Sequence, residues 1–196
     1  MSWGTLTLVL TILAIDSLYI LLIHHTSGLF ALSGYQVKKA AMNGDLIMYE
    51  TNLRNDTYQQ FKRCIDTHNK AIQFYNILQK SSQSSYLLQV GLNMVGLSVT
   101  AVQTVANMDN PEIAFRCALF FGAEQLHLFI ISIPGQVLID HCLDLANDIY
   151  SSKWYDVPLE IQKVIQMMQL RSNKPCALSA GGIYTMNIEN FGAVCK

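Results

Sequence analysis

Residues 87–106 read Leu87-Leu88-Gln89-Val90-Gly91-Leu92-Asn93-Met94-Val95-Gly96-Leu97-Ser98-Val99-Thr100-Ala101-Val102-Gln103-Thr104-Val105-Ala106, twenty positions without a charge. As an α-helix this run covers about 30 Å, the thickness of a bilayer's hydrocarbon core. Two further runs flank it. Trp3 to Ile23 holds 21 positions with one charge, Asp16. Ala114 to Ile139 is interrupted by Arg116 and Glu124, then stays uncharged from Gln125 to Ile139. The first run lacks the basic flank of a signal peptide and exceeds the length of its apolar core. These runs predict an all-α, polytopic transmembrane bundle with spans at about 3–25, 86–106 and 114–140.

Composition agrees. Hydrophobic residues make up 51% of the 196 and charged ones only 14%, against the usual quarter or so. A net charge of −1 leaves no basic footprint, which excludes nucleic acid as a partner. Five cysteines, an odd number without C-x-x-C spacing, argue against a disulfide framework or zinc site and read as small buried apolar residues. The sequence contains no G-x-S-x-G and no phosphate loop, and its carboxylates and histidines show no hydrolase spacing. No catalytic residue, metal or cofactor is expected.

Between the first two spans lies a polar region, Ser33 to Ser85. In it Tyr58, Phe61, Ile65, His68, Ile72 and Tyr75 recur at intervals of 3, 4, 3, 4, 3, the seam of an amphipathic helix. That seam is expected to pack on other helices. The alternative is a membrane-surface helix, given Lys62, Arg63 and Lys70 on the polar face. Ser81-Ser82-Gln83-Ser84-Ser85 reads as a turn into the second span. Pro158 suits the first position of a helix with Leu159, Ile161, Val164, Ile165, Met167 and Met168 on its apolar side. Lys174-Pro175 ends it. Helical regions at about 33–82 and 141–175 and a final helix over 187–196 complete the layout.

Seven of the thirteen Lys and Arg residues lie between Lys38 and Lys80, and four more follow the third span. The connection Asn107 to Ile113 has none. Positive loops stay cytoplasmic. Span one therefore runs inward, span two outward and span three inward, with 33–82 and 141–175 cytosolic. The sequon Asn55-Asp56-Thr57 should stay unglycosylated there. A chain that starts outside without an upstream signal is expected to be the carboxy-terminal piece of a larger protein.

Several stretches resemble insect odorant receptors of the kind abundant in ants, bees and wasps. They are Asp16-Ser17-Leu18-Tyr19 with His24-His25, and Cys64-Ile65-Asp66-Thr67-His68-Asn69-Lys70-Ala71-Ile72. Gly135-Gln136 follows, then Ala146-Asn147-Asp148-Ile149-Tyr150-Ser151-Ser152-Lys153-Trp154-Tyr155. Arg171-Ser172-Asn173-Lys174-Pro175 and Ala180-Gly181-Gly182 complete the set. The resemblance implies helices four to six and the start of seven of a seven-helix receptor with a cytosolic helical anchor. It implies a plasma-membrane subunit of olfactory sensory neurons that binds small volatile odorants. With the odorant receptor co-receptor, as a hetero-oligomeric tetramer in membrane lipid, such a subunit forms a ligand-gated cation channel. The final helix stops before the family's gate and helices one to three are missing, so this piece alone is expected to pass no current. A non-receptor multi-span membrane protein with a structural or adaptor role is the alternative reading. A soluble helical bundle is the third.

The family's ligand pocket lies in the outer half of the bundle. Carried onto this sequence, that implies lining residues Leu8, Ile12, Ile15, Asp16 and Tyr19 in the first span and Phe115, Leu119 and Phe120 in the third. Helix packing or lipid contact competes for each of them. Asp16 and Glu124 are ionisable groups at span depth, which are costly in lipid and face the bundle interior. Either serves the ligand or bonds a neighbouring helix. Asp140, Asp144 and Asp148 recur every fourth residue with His141 among them; a metal site is the alternative to reading them as a solvated acidic face that pairs with lysines. His24 and His25 point about 100° apart on a helix and read as interfacial residues rather than a ligand pair.

Overall fold

The computed structural model describes residues 3–42, 51–107 and 110–194. Three long helices dominate: α1 (Trp3–Met42), α2 (Thr51–Ala106) and α3 (Pro111–Ser151). A 3-10 turn (Trp154–Asp156) leads to α4 (Leu159–Ser172). A two-stranded antiparallel hairpin follows, β1 (Ser179–Ala180) with β2 (Tyr184–Thr185), then α5 (Ile188–Val194). All three long helices are long and apolar enough to cross a membrane. The chain divides into two compact units, residues 1–78 with 137–176 and residues 79–136 with 177–196.

In the first unit α1 changes character along its length. From Gly4 to Leu22 its described side chains are exposed or half-buried, Asp16 excepted. From Ile23 onward every seventh residue is buried in three registers: Ile23, Phe30 and Val37; Thr26, Ser33 and Ala40; Ser27, Gly34 and Ala41. This is the repeat of helices packed along their length, with small residues permitting close approach. Thr26 and Ser27 return their hydroxyls to the carbonyls of Leu22 and Ile23 at 2.8 and 3.0 Å, so burying them leaves no orphan donor. Phe61, Cys64, His68, Ala71 and Leu78 of α2 are buried in the same unit, as are Leu138, Cys142, Leu145 and Ile149 of α3. The buried face of α4 is Ile161, Ile165, Met168 and Ser172.

The second unit joins the rest of α2 and α3 to the hairpin and α5. Ser82, Tyr86, Val90, Asn93, Leu97 and Thr100 are buried at helical spacing on α2, and Leu128, Ile131 and Ser132 on α3. Phe191 of α5 lies 5.2 Å from Phe129 of α3, ring centre to ring centre. Gly181 and Gly182 take φ of +62° and +75° in the hairpin loop, which a side chain would strain. Asn187 caps α5, its Oδ1 accepting from the Asn190 N–H at 2.8 Å.

Two expectations need correction. Ser81 to Ser85 form no turn, because α2 runs unbroken from Thr51 to Ala106. Ser82 is fully buried and Gln79 and Gln83 bind the hairpin, so packing outweighs the weak helix propensity of serine. Pro158 is the residue before α4 rather than its first, with φ −53° and an extended ψ of 143°. The Asn55 and Leu8 side chains and Cys195 lie outside the described residues, as does the end of the final helix.

Candidate functional site

On α1, Ile12, Ile15, Asp16 and Tyr19 stand at i, i+3, i+4 and i+7, one helical face. Ile12 and Ile15 are exposed, Tyr19 is half-buried, and Asp16 is 8% exposed. Asp16 and Tyr19 both have interaction partners. This stretch thus combines a buried carboxyl and a half-buried phenol with exposed aliphatic side chains. On α3, Phe115, Leu119 and Phe120 are all exposed. The α1 set belongs to the first compact unit and the α3 set to the second.

Exposed apolar surface is general on these helices. Only 11% of the most apolar window of α1 is buried, with 28% for α2 and 39% for α3. Patches of this extent mark a surface covered by lipid or by partner helices.

Glu124 meets Asn93, whose amide donates to Oε2 at 2.6 Å and to the Glu124 carbonyl at 3.4 Å. The interhelical bond among the two readings of Glu124 is therefore made. Of the acidic series, Asp148 pairs with Lys38 at 2.6 Å. His25 packs on Phe74 with ring centres 5.1 Å apart. Cys64, Cys142 and Cys176 are buried and Cys117 is half-buried.

The seam of α2 is the feature whose consequence the sequence did not disclose. Within the first unit it faces α4 across two adjoining cavities. One of about 160 Å³ is lined by Ile65, His68, Asn69 and Ile72 of α2 and Val164, Met167, Met168 and Arg171 of α4. The other, about 230 Å³, is lined by Tyr58, Phe61, Lys62, Ile65, Glu160, Ile161 and Val164. His68 is 4% exposed, and neither ring nitrogen has a hydrogen-bond partner. This segment lies about 28 Å along α2 from Leu87, beyond the membrane-length apolar run. Burial and the nearby Arg171 charge lower the His68 pKa to about 4. Burial also raises the Cys64 thiol to about 11, which keeps it an unreactive core residue. A histidine inside an otherwise apolar seam and the Arg171 to Pro175 stretch were the sequence signals near these cavities.

Three membrane-length helices with an inter-helix polar pair define a polytopic helical membrane protein. The family model described as 7tm Odorant receptor matches residues 1–196, and the chain belongs to that family. It is similar to Odorant receptor 94a of Drosophila melanogaster, 23% identical over 97% of this chain and 48% of the relative. It is also similar to Odorant receptor 82a of the same fly, 23% identical over 72% of this chain and 36% of the relative. Odorant receptor Or2 of Anopheles gambiae is 21% identical over 68% of this chain and 35% of its own length. The chain spans about half or less of these relatives.

Proposed function

We propose that this chain forms part of an odorant receptor subunit. The subunit binds small volatile odorants and, with the odorant receptor co-receptor, forms a ligand-gated cation channel in the plasma membrane of olfactory sensory neurons. The observation that carries the reading is a family match over the whole chain together with three helices of membrane length. Lipid covers the exposed apolar faces. The Lys- and Arg-rich segments around Lys38 to Lys80 and Lys153 to Lys174 face the cytosol.

Odorant contact is assigned to Leu8, Ile12, Ile15, Asp16 and Tyr19 of α1 and, separately, to Phe115, Leu119 and Phe120 of α3. Binding favours the open pore by making better contacts with it than with the closed one. The test is co-expression of the complete receptor containing this segment with the co-receptor, recording odorant-evoked current. Tyr19→Ala and Phe120→Ala should shift odorant sensitivity without changing surface expression. Odorant responses that are the same with and without the receptor subunit would refute the reading.

A further inference from the structure

The 160 Å³ cavity between α2 and α4 has a one-sided polar lining. Arg171 and Asn69 bring N–H donors, while the ring nitrogens of His68 are themselves buried. Arg171 gives Nη1 to the Lys174 carbonyl at 3.3 Å and also bonds the Cys176 side chain, which leaves spare donors among the five of a guanidinium. No Asp or Glu lines the cavity. A cationic ligand would face Arg171 with no counter-charge, and a pure hydrocarbon would leave the Arg171 and Asn69 donors unused. The remaining lining, Ile65, Ile72, Val164, Met167 and Met168, is apolar.

We propose that this cavity binds a small organic carboxylate, its acid group on Arg171 and Asn69 and its apolar body against the isoleucines and methionines. A volume of about 160 Å³ accommodates a body of about one benzene ring, as a cavity of about 150 Å³ does. A guanidinium matches a carboxylate in a bidentate fork. The stretches containing Cys64 to Ile72 and Arg171 to Pro175, distant in sequence, meet at this one place. The adjoining cavity carries Lys62 and Glu160, charges of both signs, so the same selectivity does not extend into it. The proposal rests on the geometry of one compact unit and is independent of odorant binding.

The test uses the 196-residue chain in lipid nanodiscs, with benzoate, benzamide and benzylamine followed by ligand-observed NMR against empty discs. Benzoate should bind about tenfold more tightly than benzamide, the worth of one charge-assisted hydrogen bond, and benzylamine should not bind. Arg171→Gln should erase the preference for benzoate and Arg171→Lys should keep part of it. Val164→Phe, which fills the cavity, should abolish binding of both, with helix content unchanged by circular dichroism. Should Arg171→Gln unfold the chain, the three-ligand comparison on the unaltered protein decides. Equal binding of benzoate and benzamide, or benzoate binding that survives Val164→Phe, overturns the proposal. So does benzoate binding that disappears as the chain self-associates, since the occupant would then be a carboxylate of a second copy.

Discussion

The Asn93 amide donates to the Glu124 carboxylate at 2.6 Å, joining the second apolar helix to the third within one compact unit. Asn93 is buried and Glu124 half-buried, so removing either leaves the other without its partner at a largely covered site. Asn93→Leu is expected to destabilise the detergent-solubilised chain by about 1 kcal/mol. The pair replacement Asn93→Leu with Glu124→Leu should cost less than the sum of the two single changes, because it leaves no partner stranded. Thermal unfolding of the four proteins measures this. Strict additivity would mean that the bond contributes nothing.

Gly34 and Lys38 act together on Asp148. A methyl group at Gly34 would sit 2.5 Å from Asp148 Oδ2, and one helical turn on, Lys38 holds Oδ1 at 2.6 Å. The pair is partly exposed, 48% for the lysine side chain and 29% for the aspartate, which limits it to a fraction of about 1 kcal/mol. Gly34→Ala should therefore lower stability mainly by displacing Asp148. In an Asp148→Ala background the same change should cost much less. Chemical denaturation of both pairs of proteins distinguishes the two.

The hairpin hangs on one side chain. Gln79 Nε2 donates to the Ser179 carbonyl at 3.1 Å and to its hydroxyl at 2.7 Å, while Gln79 Oε1 accepts from the Ser179 N–H at 2.9 Å. One turn later the Gln83 carbonyl accepts from the Gly181 N–H at 3.3 Å. Gln79→Ala should cost about 2 kcal/mol locally, several partly buried bonds at roughly 1 kcal/mol each. Hydrogen exchange should speed up at Ser179, Gly181 and Met186 and stay unchanged around Phe30.

The three apolar runs were legible because twenty uncharged residues suit few structures other than a membrane-length helix. The seam of α2 was legible as a helix, yet its buried face is Phe61, Cys64, His68 and Ala71, while Ile65 and Ile72 line the cavity walls. Periodicity gives a stripe; which edge of it is covered depends on α4, 89 or more residues away in sequence for Ile72 and Ile161. Ser81 to Ser85 misled because a run of serines carries a turn signal whatever packs on it, and Ser82 is buried. The hairpin escaped notice because two residues per strand leave no alternation to read. Gly135 belongs to the stretches that carry the family resemblance, and sequence alone gives no physical reason for a glycine there. Its missing side chain is what lets the Met186 carbonyl lie against α3.

His68 makes folding sensitive to acid. Its pKa falls from 6.5 to about 4 in the folded chain, through burial first and the Arg171 charge second. Above pH 6.5 the imidazole is neutral in both folded and unfolded states and has no effect. Between pH 6.5 and about 4 the unfolded chain binds a proton that the folded chain refuses, so stability declines as pH falls through this window. The full loss is on the order of 3 kcal/mol. His68→Leu removes the titrating group and should flatten stability across the same window, whatever its effect at neutral pH. Denaturant midpoints at pH 7, 5.5 and 4.5 measure the difference. A variant that loses stability toward acid as steeply as the unaltered chain would place the sensitivity on other groups.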